Sequence, residues 1–542
     1  MTSQQEYQYE ALRSNRHIRL LDIMGGAPND KVECEMIHNV ALDTMKRLDV
    51  KYNALSYRWG APEPATHISI NGADFPAVFA FCRRDYWSRV WMIQEIALSR
   101  NPTVVCGHMG VAWADFEAFL GSVFAFVAMR EPGAMHFWHL TPLLEDSFPL
   151  LMDGMRHGIG SPNRDGRWLL SALQKYRSFS ATDPRDKIYS LLGLVNAETR
   201  RAINVDYDAT VERVFTDTFK YLLPTRRRAE AQDDVVTGSA PQLSLNFNLS
   251  LDDTPKSPAA ATEEEQFMTR KHGPLNSLCC AGHGSSGKGS FPDWAPPGNF
   301  PFASWLPNWN DNSRGPTMDD LSHCRFRASA DLEPEYSFHE QDRVLEVKGY
   351  LVDNLKWLGS SASDFSSSSP TSSGDVLSTD LAIIAAVADS QVDVITSAFQ
   401  GRPYREADFW KTLVCDSFPT SQFPKAPGEW GSMSVALLRT VAREEEIDED
   451  KSALMASEYL IMLRKTMRGR CFAISRQGMY MMVPEDNALG DCIAVILGCD
   501  IPVVLGMREG ELVLVGECYV DMLMDGEWLQ DMEEEPATIP IR

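Results

Sequence analysis

RVWMIQEI, residues 89–96, is the stretch on which the reading of this chain turns. Its apolar positions recur at helical spacing, and Trp91 and Glu95 stand four residues apart. That interval places two side chains on one helix face, one turn above the other. A carboxylate beside a large apolar ring is partly desolvated, which raises its pKa and makes it a candidate acid, base or charge stabiliser. A core tryptophan and a hydrogen-bonded helix glutamate fit the same pattern, because structural ion pairs perturb pKa values as well. The residues alone leave both readings open.

Outward from this helix, residues 16–72 are β-rich. Ile18–Ile23, Cys34–Val40, Ala54–Tyr57 and His67–Ile70 are short apolar or alternating runs, and Asn71-Gly72 marks a tight turn. The helix itself is expected over Arg89–Leu98, started near Asp85 or Ser88. Thr103–Cys106 is β-branched and bounded by Pro102 and Gly107, which predicts a buried strand. Trp113–Met129 is an apolar helix, too short to span a bilayer and carrying Glu117. Alternation of strand and helix predicts an α/β layer. Asp183-Pro184 opens another helix, with Asp at the N-cap and Pro at the first helical position. Ile188, Leu191, Leu192 and Val195 form its apolar face. Thr210–Leu223 predicts a further helix, presenting Val211, Val214, Phe215, Phe219 and Leu222.

The second half is interrupted. Residues 225–300 are rich in Pro, Gly, Ser and acidic runs and are expected to be a low-complexity linker. Residues 301–358 hold a Trp/Pro-rich segment and a strand, RVLEVKGY (Arg343–Tyr350). The indoles of Trp294, Trp305 and Trp309 are expected to dock onto a domain. A Ser-rich linker covers 359–376, and a helical region covers 377–468. Residues 469–530 carry five short apolar runs, CFAIS, MYMMVP, CIAVILG, VVLGM and ELVLVGECYV, joined by Gly, Pro and charged turns. That period predicts a small antiparallel sheet or barrel.

Composition narrows the function classes. The chain has 542 residues, 44% of them hydrophobic and 23% charged, which is ordinary globular material. A net charge of −24 disfavours nucleic acid and anionic membrane surfaces as partners. The start, MTSQQEYQYE, lacks the basic and apolar parts of a secretory signal, and no window is long and apolar enough for a transmembrane helix. Eleven cysteines without CxxC pairs indicate free thiols in a reducing cytosol, so a cytoplasmic location and no metal are expected. GHGSSGKG (Gly282–Gly289) imitates a phosphate-binding loop but offers Gly289 where a magnesium-binding hydroxyl belongs, and its prolines forbid the helix that must follow. GxSxG is absent, so no serine triad is indicated.

Three blocks now stand in order: YNALSYRWG (Tyr52–Gly60), RVWMIQEI, and DPRDKIYSLLGL (Asp183–Leu194). Together with the approach through IRLLDIM (Ile18–Met24) and VECEMIHNVAL (Val32–Leu42), they resemble the fungal heterokaryon incompatibility (HET) domain across residues 16–224. In the tail, PEDNALGD, VGECYV and MDGEW resemble the ending of such proteins. The resemblance implies a TIR-like, flavodoxin-like α/β N-terminal domain, followed by a mixed α+β C-terminal region. It marks Tyr57, Trp59, Gly60, Arg89, Gln94, Asp183, Pro184, Arg185 and Asp186 as motif residues. It implies nonself recognition and regulated cell death, with protein partners and self-association. TIR domains that cleave NAD carry a Trp-Cys-x-x-Glu-Leu helix. Trp91 and Glu95 match its Trp and Glu, with Met92 and Ile96 in place of Cys and Leu. Glu95 would then stabilise positive charge on the ribose as nicotinamide leaves, with NAD as substrate and no resident cofactor.

From the residues themselves, Arg58 ends a strand at a loop where ligands bind in α/β sheets, and is a candidate for a phosphate, a carboxylate, or a core acid such as Glu95 or Asp186. Asp183, Arg185, Asp186 and Lys187 crowd a helix start, which favours capping and local ion pairing. One departure from the HET pattern stands out. Only thirteen residues, Ala73–Asp85, separate Gly72 from Tyr86, and no block like WIDAICINQ is present. The parallel sheet would lose a central strand. Three readings follow: an interaction module, an NAD glycohydrolase using Glu95, or a degenerate or mis-spliced member of the family.

Overall fold

The computed structural model describes residues 17–23, 34–41, 86–106, 109–128, 163–223, 303–310, 326–330, 332–361, 405–417 and 458–542, with isolated positions between them. Tyr57, Arg58, Trp59, Gly60, the 73–83 stretch, Trp294 and the GHGSSGKG run lie outside the described residues. The chain forms two units, Met1–Ala61 and Pro62–Arg542.

In the first unit, β1 (His17–Ile23) pairs antiparallel with β2 (Cys34–Ala41). These are two of the four runs that the sequence marks as strands in residues 16–72; Ala54–Tyr57 and His67–Ile70 lie outside the described residues. A register shift falls between Ile18 and Leu20, where one extra residue is accommodated.

The first described helix of the second unit is α1 (Trp91–Leu98). It starts two residues later than expected, and no side chain caps it. The reason is tertiary. Val90 N–H donates to the Ser180 carbonyl at 2.9 Å, and Ser180 N–H donates to the Ser88 carbonyl at 2.5 Å. Arg89 and Ser180 thus form a parallel bridge, so the backbone groups that would extend the helix are engaged sideways. Met92, Ile93, Ile96 and Ala97 are buried on one side of the helix.

Thr103–Cys106 is a strand (β3), but not the buried strand expected. It pairs antiparallel with β4 (Met109–Ala112), and Val105 is 68% exposed. Gly107, expected to bound that strand, lies outside the described residues. Among the described residues of 84–223 no parallel ladder is present beyond the single Arg89–Ser180 bridge. Then come α2 (Trp113–Ala128), α3 (Gly166–Lys175), α4 (Asp186–Tyr189), α5 (Ala197–Ala202) and α6 (Val211–Leu222). Asp165, Asn196 and Thr210 cap α3, α5 and α6 by accepting backbone N–H bonds, which satisfies donors that the first turn leaves orphaned. Trp87 stacks on Phe116 at 5.7 Å, and Trp113 lies 6.2 Å from Trp87, so the approach to α1 is anchored by rings on α2.

Two of the three tryptophans of the Pro-rich run, Trp305 and Trp309, dock as expected. Trp309 lies 5.0 Å from Phe215, and Trp305 lies 5.4 Å from both Phe219 and Phe338. Both indoles are fully buried. They join the apolar face of α6 to β5 (Tyr336–His339).

The C-terminal half is an antiparallel sheet of nine strands built on β6 (Val344–Ser361), an 18-residue strand. On one edge β6 pairs with β5 and then β9 (Cys492–Ile496). On the other it pairs with β13 (Ala537–Ile541) and then β7 (Arg470–Ser475). The main path runs β11 (Glu511–Glu517), β10 (Val503–Arg508), β9, β6, β7, β8 (Tyr480–Pro484), β12 (Tyr519–Val520). Its two ends, β11 and β12, do not pair with each other; they are consecutive in the chain, separated only by Cys518. Of the two forms expected, sheet or barrel, the described strands form the sheet. β6 also runs past Gly359, where the Ser-rich linker was expected to begin, because Ser361 pairs with Cys471. Two helices, α7 (Glu406–Leu413) and α8 (Glu458–Met467), contribute Phe409 and Tyr459 to the core.

Candidate functional site

Two of the three sequence blocks meet where α1 faces the segment 183–194. Trp91 donates its indole N–H to Asp186 Oδ2 at 3.0 Å. One turn along, the Gln94 side-chain oxygen accepts the Gly193 N–H at 3.2 Å. A Cβ at Gly193 would meet the Gln94 amide, so any larger residue would have to push that side chain off the bond. The indole therefore has a carboxylate partner, but it is Asp186 from the third block, not Glu95 from its own helix.

The start of the third block is a turn before it is a helix. Asp183 accepts from the Arg185 N–H at 3.0 Å, Asp186 N–H bonds back to the Asp183 carbonyl, and Pro184 is buried. The α-helix then starts three residues beyond the expected cap. Arg185 forks onto Asp183, Nε to Oδ1 at 2.9 Å and Nη2 to Oδ2 at 2.7 Å. The guanidinium beside it holds the Asp183 carboxyl below the usual carboxylate range, and Arg185 is raised in return. Arg185 Nη1 also donates to the carbonyls of Tyr207 and Ala209 at 2.5 and 2.6 Å. Capping and local ion pairing thus account for Asp183 and Arg185. Asp186 differs: its second oxygen accepts the Tyr207 hydroxyl at 2.6 Å. Burial, reinforced by that bond, pushes the Tyr207 phenol well above its ordinary value.

The sequence does not single out Tyr207, and it marks Lys187 only as one of the charged residues crowding the helix start. Tyr207 sits in VDYD, which carries no local signature of its role. Lys187 is almost fully buried, and its ammonium donates to the carbonyls of Arg177, at 2.7 Å, and Phe179. Desolvation, with Arg177 adding to it, lowers the Lys187 pKa to about 7. Those carbonyls belong to the turn that carries Ser180 to α1, so Lys187 braces the bridge from below.

Glu95 is the remaining candidate. Its Oε2 is buried and has no hydrogen-bond partner among the described residues. Such an oxygen would accept from a donor or a developing positive charge. Trp91, Gln94, Asp183, Arg185 and Asp186 are engaged with one another or with backbone, and Arg89 pairs with Ser180 through backbone. Among the described residues no group of three His, Cys, Asp or Glu could hold a metal ion, and no helix is long and apolar enough to cross a membrane.

Against known proteins, residues 422–537 match the model of the Het-6 beta-barrel domain family. The matched span takes in α8, β7 to β12 and the first residue of β13, but not β6. The match relates the chain to fungal heterokaryon incompatibility proteins. The family is a different one from the HET domain that the N-terminal blocks resemble. No curated protein and no solved structure matches the chain.

Proposed function

We propose that this chain is a fungal nonself-recognition protein of heterokaryon incompatibility, promoting regulated cell death through its N-terminal region as an interaction module in the cytoplasm. In this reading residues 16–224 form a shortened HET-like domain that engages protein partners, including further copies of the chain, and residues 469–530 form the β-rich module. The observation that carries it is the bond from Trp91 to Asp186. The motif side chains clamp α1 to the third block, which is what a module needs to hold one surface in a fixed shape. The Het-6 match supports the same biological setting from the other end of the chain.

A second reading, NAD cleavage by Glu95, is favoured by one observation: the buried Oε2 without a partner. Purified protein incubated with NAD, with free nicotinamide followed, separates the two. Release by wild type that is lost in Glu95→Gln establishes the enzyme. No release at high protein concentration leaves the module.

A further inference from the structure

Asp186 is the shared acceptor of two donors from distant parts of the chain. Oδ2 holds the Trp91 indole and Oδ1 holds the Tyr207 hydroxyl. The clamp on α1 is therefore one carboxylate away from a tyrosine at the surface, 49% exposed. Tyr207 lies between Asp206 and Asp208 in an irregular loop ahead of α6. Its ring packs edge-on against Tyr189 at 5.1 Å, and the Arg185 guanidinium lies 5.3 Å from its centroid.

Replacing the hydroxyl proton by a phosphoryl group would reverse the sign of this contact. The hydroxyl donates to Asp186 across 2.6 Å, whereas a phosphate is an acceptor carrying nearly two negative charges. Against a carboxylate it repels, and the cation beside the ring is Arg185, now forked onto Asp183. A phosphate ester would draw that fork away and drive the Asp186 carboxylate off, removing the acceptor from Trp91.

We propose that Tyr207 is a modification site whose phosphorylation releases the clamp between Trp91 and Asp186. A tyrosine kinase with a nucleoside triphosphate supplies the group. The bond between Tyr207 Oη and the γ-phosphorus forms, the bond from that phosphorus to the bridging oxygen breaks, the nucleoside diphosphate leaves, and the hydroxyl proton passes to the kinase's base. This rests on the clamp reading above and names its regulation.

The test uses the full chain, a broad-specificity tyrosine kinase and magnesium ATP. Phosphate is mapped by mass spectrometry, and amide hydrogen exchange is read over 89–98 and 186–193. The expected result is phosphate on Tyr207 and about tenfold faster exchange in both segments. Tyr207→Phe, treated identically, should show no such acceleration, and in Asp186→Asn, where the repelled charge is absent, phosphorylation should change exchange by less than about twofold. Labelling of other tyrosines while Tyr207 stays bare overturns the proposal. So does a phosphorylated Tyr207 with unchanged exchange. Exchange is read without any cell-death assay, so failure of the incompatibility reading would leave this outcome separately visible.

Discussion

The Trp91 indole and the Asp186 carboxylate, 95 positions apart in sequence, are joined by a 3.0 Å hydrogen bond. That bond makes one structural element of two sequence blocks. It also explains why the indole and the acid of the RVWMIQEI helix do not form the pair that their spacing suggests. A double-mutant cycle measures the coupling. Trp91→Phe and Asp186→Ala should each destabilise the second unit, and the coupling should be about 1.5–3 kcal/mol, the range for a hydrogen bond to a charged group. Additive single effects in urea unfolding would mean that the bond contributes nothing.

Lys187 makes the stability of the helical region depend on pH. Its folded pKa is lowered to about 7, against an ordinary value of 10.5. Between these values the unfolded chain binds the extra proton, so stability rises with pH across the window from about 7 to 10.5. Below pH 7 the penalty for burying the ammonium is present in full; above 10.5 it is gone. Lys187→Met should flatten this slope while losing the bonds to Arg177 and Phe179. Urea midpoints at pH 6, 8 and 10 check it.

In the C-terminal sheet, Arg470 and Glu517 form a buried pair at 2.6 Å, and Glu517 also accepts the Met318 N–H. Arg470→Met leaves Glu517 buried with one partner fewer and should cost about 3–5 kcal/mol. Combining it with Glu517→Met should restore part of that loss. Thermal unfolding of the single and double variants is the measurement, and a double variant less stable than Arg470→Met would refute the expectation.

Gly498 and Gly526 occupy left-handed backbone, at φ +78° and +73°. A Cβ would lie 2.6 Å from the Pro334 Cβ at the first position and 2.7 Å from the Arg327 carbonyl oxygen at the second. Alanine at either site should destabilise by about 1–3 kcal/mol, since strain and collision add. At Gly510, also left-handed at φ +87° but with open space around it, alanine should cost less. Equal losses at all three sites would remove collision as the cause.

The tail was legible because each apolar run is short, bounded by turn residues, and in most cases paired with a sequence neighbour: β7 with β8, β9 with β10, β10 with β11. Helix α6 was legible from its apolar face, and Trp305 and Trp309 from their size. The far end of β6 was not, because Gly359-Ser360-Ser361 has no preference for strand and is held there by pairing with β7. Met109–Ala112 was missed because a four-residue strand containing Gly110 carries almost no periodic signal. At the site, the local pair Asp183–Arg185 could be read, being two residues apart. The partner of Asp186 could not, since Trp91 and Tyr207 reach it only through tertiary packing.

The most direct test is expression in fungal hyphae of wild type, Glu95→Gln and Asp186→Ala, each confirmed by immunoblot at equal level, with scoring of viability. The module reading predicts that wild type and Glu95→Gln both kill, and that Asp186→Ala, with the clamp removed, does not. Loss of killing in Glu95→Gln with killing retained in Asp186→Ala would contradict it and pass the function to the carboxylate.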